Sequence, residues 1–212
     1  MPTACYVWGI ALSDEVRVMM EPLATYRRLV AEPPPPAPAP TLRVLLRRPA
    51  LAALVIGGAV ALTATGGATA RALATTTICW SFVPGLQLIV AAALIALVRR
   101  PGLRLTSALD LFFVGQGPWL LWVLGVAAWA LVAFQSGRHA VPHLRSLLAL
   151  ALIPAVWTWF ILLAFCQAVL GLDRRRALGW TFLYQAAIWG IAYLYASAMT
   201  FQAWPFGQLP TR

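Results

Sequence analysis

The sequence has little charge for its length. Only 10% of its 212 residues are charged and its mean hydropathy is +0.79, whereas soluble domains carry about 25% charged residues. Lysine is absent, so all 16 basic residues are arginine. A chain this poor in charge cannot cover itself with a water-soluble surface. We therefore expect an integral membrane protein. The bias toward Ala, Leu, Gly, Pro and Arg favours a bacterium with a GC-rich genome.

The sequence also lacks the residue patterns on which most enzyme and metal sites depend. Its three cysteines, Cys5, Cys79 and Cys166, lie far apart, which argues against a disulfide framework or a zinc site. Nucleophile-elbow, Walker-loop, HExxH and paired-carboxylate motifs are missing. His139 and His143 are interpreted as interfacial side chains, with axial ligation of a haem or chlorophyll as the alternative. The prediction is a non-enzymatic protein with no metal or cofactor site.

Long apolar runs, in contrast, are plentiful. Five of them approach or exceed the roughly 20 residues needed to cross a hydrocarbon core, and none has an ionisable residue away from its ends. The predicted fold class is an all-α, polytopic membrane helix bundle, with residues 41–212 as its transmembrane domain. The predicted spans are residues 49–70, 72–98, 118–134, 147–172 and 178–202.

The arginines are distributed unevenly around these spans. If the N-terminus is cytoplasmic, twelve arginines lie inside and only four lie outside, namely Arg71, Arg138, Arg145 and Arg212. The positive-inside rule favours this orientation. We therefore expect a protein of the bacterial inner membrane with its N-terminus in the cytoplasm and its C-terminus outside. The same distribution argues against nucleic acid as a partner.

Residues 1–32 are predicted to form a cytoplasmic amphipathic arm. The stretch EPLATYRRLVAE places Leu23, Tyr26, Leu29 and Val30 at helical spacing on one face. A second amphipathic segment, TLRVLLRR, precedes the first span. Both are predicted to lie on the anionic inner leaflet. Their predicted anchors are Arg27, Arg28, Arg43, Arg47 and Arg48.

Residues 33–40, PPPPAPAP, separate these two amphipathic segments. A run this rich in proline favours the polyproline conformation, which is stiff and rises about 3.1 Å per residue. We expect it to act as a spacer of roughly 25 Å.

Three features of the apolar part are candidate sites. Asp110 follows Ser107 by three residues, which matches a capping box and predicts a helix start at the inner interface. Small residues in the first span favour close helix packing, within this chain or against another; they are Ala53, Gly57, Ala61 and Thr65. The mid-span tryptophans are interpreted as packing residues, with contact to an apolar ligand such as a pigment or quinone as the alternative; they are Trp129, Trp157, Trp159 and Trp189.

The order of these features resembles the bacterial branch of the Yip1 family. EPLATYRRLVAEPPP resembles the opening of that branch, RRPALAALVI its entry into the first span, and TSALDLFFVGQGPWLL its approach to the third. The resemblance covers most of the chain in layout. It does not extend to the Asp-Leu-Tyr-Gly-Pro motif of the eukaryotic members. It implies a non-catalytic five-span protein that binds other membrane proteins.

Together these observations predict a non-catalytic accessory or scaffold subunit of a larger bacterial membrane assembly. Lipids and other integral membrane subunits are the expected partners, and respiratory and photosynthetic complexes are the expected assemblies. The alternative is a channel or carrier for a neutral or lipid-like solute. Its path would follow the kinks at Pro84 and Pro154 and the mid-span glutamines Gln87, Gln167 and Gln185.

Overall fold

The chain is helical throughout the part that the structure describes. A computed structural model describes residues 12–31, 42–65, 69–98, 101, 103–135 and 150–203, and these residues form helices and short connections without a strand. The predicted all-α class is therefore confirmed. The predicted spacer at residues 33–40 and the two histidines His139 and His143 lie outside the described residues.

Two short helices form an N-terminal hairpin, residues 12–31. Helix α1 (Leu12–Met20) and helix α2 (Pro22–Ala31) are joined by Glu21 alone. Proline opens α2 because the first residue of a helix needs no N–H donor for an intrahelical bond. Arg28 of α2 forms an ion pair with Asp14 of α1, which holds the two helices together.

Three segments of the described chain are long and apolar enough to cross a membrane. Helix α3 (Leu42–Thr65) contains the window Leu46–Thr63. Helices α4 (Ala70–Trp80) and α5 (Phe82–Val98) are separated only by Ser81 and together make a 29-residue apolar segment. Helix α7 (Gly117–Gln135) is the third segment. These segments support the predicted membrane protein.

The other described helices include one short helix and two that overlap the last two predicted spans. Helix α6 (Leu105–Val114) lies just before α7. Helix α8 (Leu152–Ala168) has 17 residues, and helix α9 (Arg174–Ala203) has 30. The five-span arrangement stays a prediction, because length and hydropathy select only the three segments above.

Prolines lie near the N-termini of several of these helices. Pro84 is the third residue of α5 and Pro154 the third residue of α8. Proline is tolerated in a first helical turn, where its missing N–H has no intrahelical acceptor. Both prolines therefore lie in a first helical turn, whereas the sequence analysis predicted kinks there.

The core lies where the N-terminal hairpin meets α5, α6, α8 and α9. Edge-to-face aromatic contacts run through it: the ring centroid of Phe165 lies 5.7 Å from that of Tyr26 and 5.8 Å from that of Phe112. Phe112 in turn lies 5.3 Å from Tyr184. All four side chains are buried. Side chains of the hairpin and of α9 therefore belong to one hydrophobic core.

Candidate functional site

The turn between α6 and α7 leaves room for the N-terminal hairpin. A Cβ atom at Gly115 would lie only 2.8 Å from Cγ2 of Ile161 and 2.9 Å from the hydroxyl of Tyr26. A Cβ atom at Gly117 would lie 2.5 Å from the sulfur of Met19. Contacts of non-bonded atoms are normally at about 3.5–4.0 Å. Gly115 therefore allows an approach that a larger residue would obstruct, whereas the flexible Met19 side chain could adjust.

Two hydrogen bonds fix the hairpin against the bundle. The Tyr26 hydroxyl donates to the carbonyl oxygen of Leu111 at 3.2 Å, and Nε1 of Trp157 donates to the carbonyl oxygen of Met19 at 2.8 Å. Met19 is in the last turn of α1, where carbonyls lack an intrahelical partner. Burial raises the pKa of Tyr26 far above its ordinary value of 10.0. Its hydroxyl therefore stays protonated and remains a donor.

A bridge of ionised side chains joins three separate parts of the chain. Nη1 of Arg48, on α3, lies 2.8 Å from Oε1 of Glu15 on α1. Nε of the same guanidinium lies 2.8 Å from Oδ1 of Asp110 on α6. The Arg48 side chain is only 9% exposed. We call this set, Glu15, Arg48 and Asp110, the Arg48 bridge.

The environment of Asp110 acts on its carboxyl in opposing directions. Burial raises its pKa above the ordinary value of 3.8, the charge and hydrogen bond of Arg48 lower it, and the nearby Glu15 carboxylate raises it further. The net direction is upward. Desolvation therefore outweighs the attraction of the guanidinium, which is the expected balance when one cation serves two carboxylates.

The predicted capping box at Ser107 and Asp110 is wrong. Arg104 occupies the N-cap position of α6 and makes no side-chain capping bond, so both residues lie inside the helix. The Asp110 carboxylate instead contacts Arg48. Glu15 contacts the same guanidinium, so a second carboxylate lies near Asp110.

The arginines predicted as leaflet anchors differ in exposure and in their partners. Arg27, Arg28 and Arg47 are all exposed, and Arg28 pairs with Asp14. The guanidinium of Arg48 is instead buried between two carboxylates, and its role as a leaflet anchor stays a prediction. The side chain of Arg43 lies outside the described residues.

The amphipathic face of α2 also has an unexpected partner. Tyr26 and Leu29 are buried, and Leu23 and Val30 pack partly buried against the same core. The face that was expected on a lipid surface is therefore in contact with the chain's own bundle. The predicted helical spacing is observed, because an apolar helix face has the same spacing whether protein or lipid covers it.

Close packing of α3 against α4 involves the small-residue stripe. Ala53, Gly57 and Ala61 are buried, while the side chain of Thr65 lies outside the described residues. A Cβ atom at Gly57 would lie 2.5 Å from Cα and 2.6 Å from N of Thr77. The hydroxyl of Thr76 donates to the carbonyl oxygen of Gly57 at 2.7 Å. The two backbones thus approach closely within one chain.

The side of α4 that faces away from α3 is not covered by any other part of the described chain. No residue of α4 is buried. Its exposed residues follow helical spacing and combine small, hydroxyl and apolar side chains, and Ile78 is 73% exposed. We call this surface the outward face of α4; it consists of Arg71, Ala74, Thr75, Ile78 and Cys79.

The four mid-span tryptophans do not converge on one site. They lie on three helices: Trp129 on α7, Trp157 and Trp159 on α8, and Trp189 on α9. Trp157 binds Met19, Trp159 lies 6.4 Å from the ring of Phe182, and Trp189 lies 5.7 Å from Trp119. Trp189 is nevertheless 50% exposed, so the packing role of these tryptophans stays a prediction.

A small apolar cavity lies between α5, α6, α8 and α9. Its volume is about 20 Å³, and its lining includes Ile95, Phe112, Phe165, Cys166 and Tyr184, but none of the four predicted tryptophans. A space of this size holds about one water-sized molecule. It is too small for a quinone or pigment ring in the conformation described.

The glutamines proposed along a solute path do not line that cavity. Nε2 of Gln87 donates to Oε1 of Gln116 at 3.4 Å, which links α5 to the turn after α6. Gln167 and Gln185 are half-buried on α8 and α9. Among the described residues, no three His, Cys, Asp or Glu side chains are grouped so as to hold a metal ion.

No family model, curated protein or solved structure matches this chain.

Proposed function

We propose that this chain is a non-catalytic accessory or scaffold subunit of a larger bacterial membrane assembly, and that it binds a neighbouring subunit through the outward face of α4. Its proposed setting is the inner membrane, with the N-terminus cytoplasmic. Respiratory and photosynthetic complexes are the proposed assemblies. The layout resemblance to the bacterial branch of the Yip1 family supports the same kind of role.

The outward face of α4 is the observation that carries this proposal. Lipid tails gain little from contact with Ala74 or with the hydroxyl of Thr75, because neither offers a large apolar surface. Small and hydroxyl-bearing residues are instead enriched where one transmembrane helix approaches another, since they allow close backbone contact and interhelical hydrogen bonds. Thr76 and Gly57 already make such a contact on the other side of α4.

The buried fraction of each apolar segment also indicates the region around α4. Within the described chain, 33% of the window Leu46–Thr63 is buried, but only 17% of the segment Ala70–Val98. The second segment, which contains α4, is therefore the least covered of the three. A neighbouring helix would add contacts that the described part of this chain does not supply.

The proposed topology has five spans, formed by α3, α4 with α5, α7, α8 and α9. Arg47, Arg104 and Arg174 lie at or near the N-terminal ends of α3, α6 and α9. All three belong to the proposed cytoplasmic side, which the positive-inside rule favours.

Site-specific photo-crosslinking in intact cells tests the proposed contact. A photoreactive residue is placed at Ala74 or Ile78 on the outward face of α4, and at Val132 or Phe160 as controls on exposed apolar faces of α7 and α8. The expected result is a protein adduct of discrete size from the α4 positions and lipid adducts from the controls. Gentle detergent extraction and native gels should then show the chain in a larger complex.

Two results would contradict the proposal. The first is a lack of protein adducts at both α4 positions while the protein is expressed and membrane-inserted. The second is migration of the extracted chain as a lone protein. Adducts of equal yield at all four positions would show non-specific collision rather than a partner-binding face.

A further inference from the structure

We propose that the exposed face of α9 binds an anionic phospholipid, with the lipid phosphate at two arginines and an acyl chain along the apolar side chains that follow. The inference takes α9 as a membrane span from the proposed topology. It goes beyond the proposed function and does not depend on the contact at α4. The exposed face of α9 consists of Arg174, Arg175, Leu178, Gly179, Phe182 and Leu183.

These six residues lie on one side of the helix. At 3.6 residues per turn they cover about half of its circumference. The opposite side carries Ala177, Thr181 and Tyr184, which are buried against the rest of the bundle. A Cβ atom at Gly179 would meet nothing within 4 Å. The described chain therefore covers one side of α9 and leaves the other side open to a ligand.

The two arginines of this face have no carboxylate partner in the described chain. Among the residues that the structure describes, Arg174 and Arg175 form no ion pair. The nearest carboxylate in the sequence, Asp173, contacts Arg176 instead: Oδ1 accepts from its backbone N at 2.8 Å, and Oδ2 lies 3.7 Å from its Nε. Residues 173–176 hold three arginines and one aspartate, a net charge of +2. An anion is the ligand that this charge favours.

The apolar part of the face distinguishes a lipid from a soluble anion. Phe182 is 64% exposed, and Leu178 and Leu183 are exposed beside it. A soluble anion would contact the arginines and leave these side chains uncovered, whereas a phospholipid has a phosphate for the former and acyl chains for the latter. A net negative headgroup is favoured, because choline would bring a second positive charge to the arginines.

The dimensions of the face match one leaflet. Nine residues separate Arg174 from Leu183, which corresponds to about 14 Å along the helix axis. Half of a hydrocarbon core of about 30 Å is roughly 15 Å. Trp180 is half-buried in the second turn, at the level where indole rings favour the membrane interface. The arginines would thus lie among cytoplasmic headgroups, where clustered basic residues recognise anionic lipids.

Native mass spectrometry of the full chain in detergent tests the site. The protein is titrated with phosphatidylglycerol or with phosphatidylcholine that has the same acyl chains. Each arginine near an anionic headgroup strengthens binding about fivefold. Arg174→Gln combined with Arg175→Gln should therefore weaken phosphatidylglycerol about 25-fold more than phosphatidylcholine. Retained phosphatidylcholine binding shows that the variant is folded.

The chain offers a control for each part of the ligand. Arg27→Gln with Arg47→Gln makes the same charge change at two exposed arginines outside the face, and it should keep the preference for phosphatidylglycerol. Phe182→Ala should weaken both lipids to the same degree, because their acyl chains are identical. An excess of glycerol 3-phosphate should not displace the lipid, since it has the phosphate without an acyl chain.

Four outcomes would overturn the inference. The first is equal binding of the two lipids to the unaltered chain. The second is an equal loss of phosphatidylglycerol in both arginine variants, which would reflect net charge rather than a site. The third is lipid binding that does not respond to Phe182→Ala. Displacement by glycerol 3-phosphate is the fourth, and it would identify a site for a soluble phosphate.

Discussion

Replacing Gly57 by alanine tests the closest helix contact in the described chain. The added Cβ atom would meet the backbone of Thr77, 2.5 Å from its Cα and 2.6 Å from its N. Backbone atoms of a helix cannot rotate away as the end of a long side chain can. Helices α3 and α4 must therefore separate by about 1 Å to restore a normal contact distance.

The magnitude follows from three contributions. Overpacking of a tight contact costs roughly 1–3 kcal/mol. Separation of the helices also weakens the bond from Thr76 to the Gly57 carbonyl, worth about 1 kcal/mol, and alanine returns up to about 1 kcal/mol through its better helix propensity. We expect Gly57→Ala to lower the free energy of unfolding by about 1–3 kcal/mol.

Gly58 supplies the matched control. A Cβ atom there would meet only Cδ1 of Leu73, at 3.6 Å, which is an ordinary contact. Gly58→Ala should therefore leave stability unchanged or raise it by up to about 1 kcal/mol. Reversible unfolding in mixed micelles with increasing dodecyl sulfate, followed by tryptophan fluorescence, measures both variants. If Gly57→Ala proves as stable as Gly58→Ala, α3 and α4 do not pack as described.

Three further predictions concern the Arg48 bridge and the hairpin groove, which α6, α7 and α8 form. Tyr26→Phe should lower the free energy of unfolding by about 1–3 kcal/mol, because it leaves the partly buried Leu111 carbonyl without its donor; unchanged stability in the same micelle assay would contradict the bond. Gly115→Ala should speed hydrogen exchange in the hairpin by displacing the Tyr26 ring, whereas Gly125→Ala, which has open space around it, should not. The pKa of Asp110 is raised by burial, so the folded state binds its proton more tightly than the unfolded chain. Its contribution to stability should be present below pH 3.8 and be lost as the pH rises through the raised pKa; Asp110→Asn should remove this pH dependence, and identical pH profiles would refute it.

The helical class and the apolar segments could be predicted from the sequence because they depend on local composition. A long run of apolar residues can cross a membrane wherever it lies in the chain. Pro84 and Pro154, where kinks were expected, lie in the first turns of α5 and α8. Helix propensity and hydropathy depend only on residues that are close in the sequence.

The Arg48 bridge could not be predicted, since its three members are distant in sequence. Arg48 was predicted as a leaflet anchor and Asp110 as a capping residue, and nothing in the sequence singled out Glu15. Only tertiary packing brings the three within 2.8 Å contacts. The groove was missed because glycine beside proline, as at Gly117, is also the ordinary signal of a kink or a span end. The residues next to a glycine in the sequence do not show whether it ends a helix or, like Gly117, leaves space for the Met19 side chain.

The amphipathic face of α2 was predicted, whereas its contact with the bundle was not. Helical spacing of Leu23, Tyr26 and Leu29 identifies a buried side and does not say what buries it. Tyr26 carried a weak signal, because a buried tyrosine hydroxyl requires an acceptor, which a helix groove supplies and acyl chains do not.

Contact between the N-terminal hairpin and α8 has a consequence for biosynthesis. The hairpin leaves the ribosome well before α8, which carries Trp157 and Phe165 onto it. At about 5–20 residues per second, translation of the intervening chain takes roughly 6–27 seconds. During that time the hairpin has no groove to enter, so the nascent chain must shelter it on the bilayer or with a chaperone until translation supplies its final neighbours.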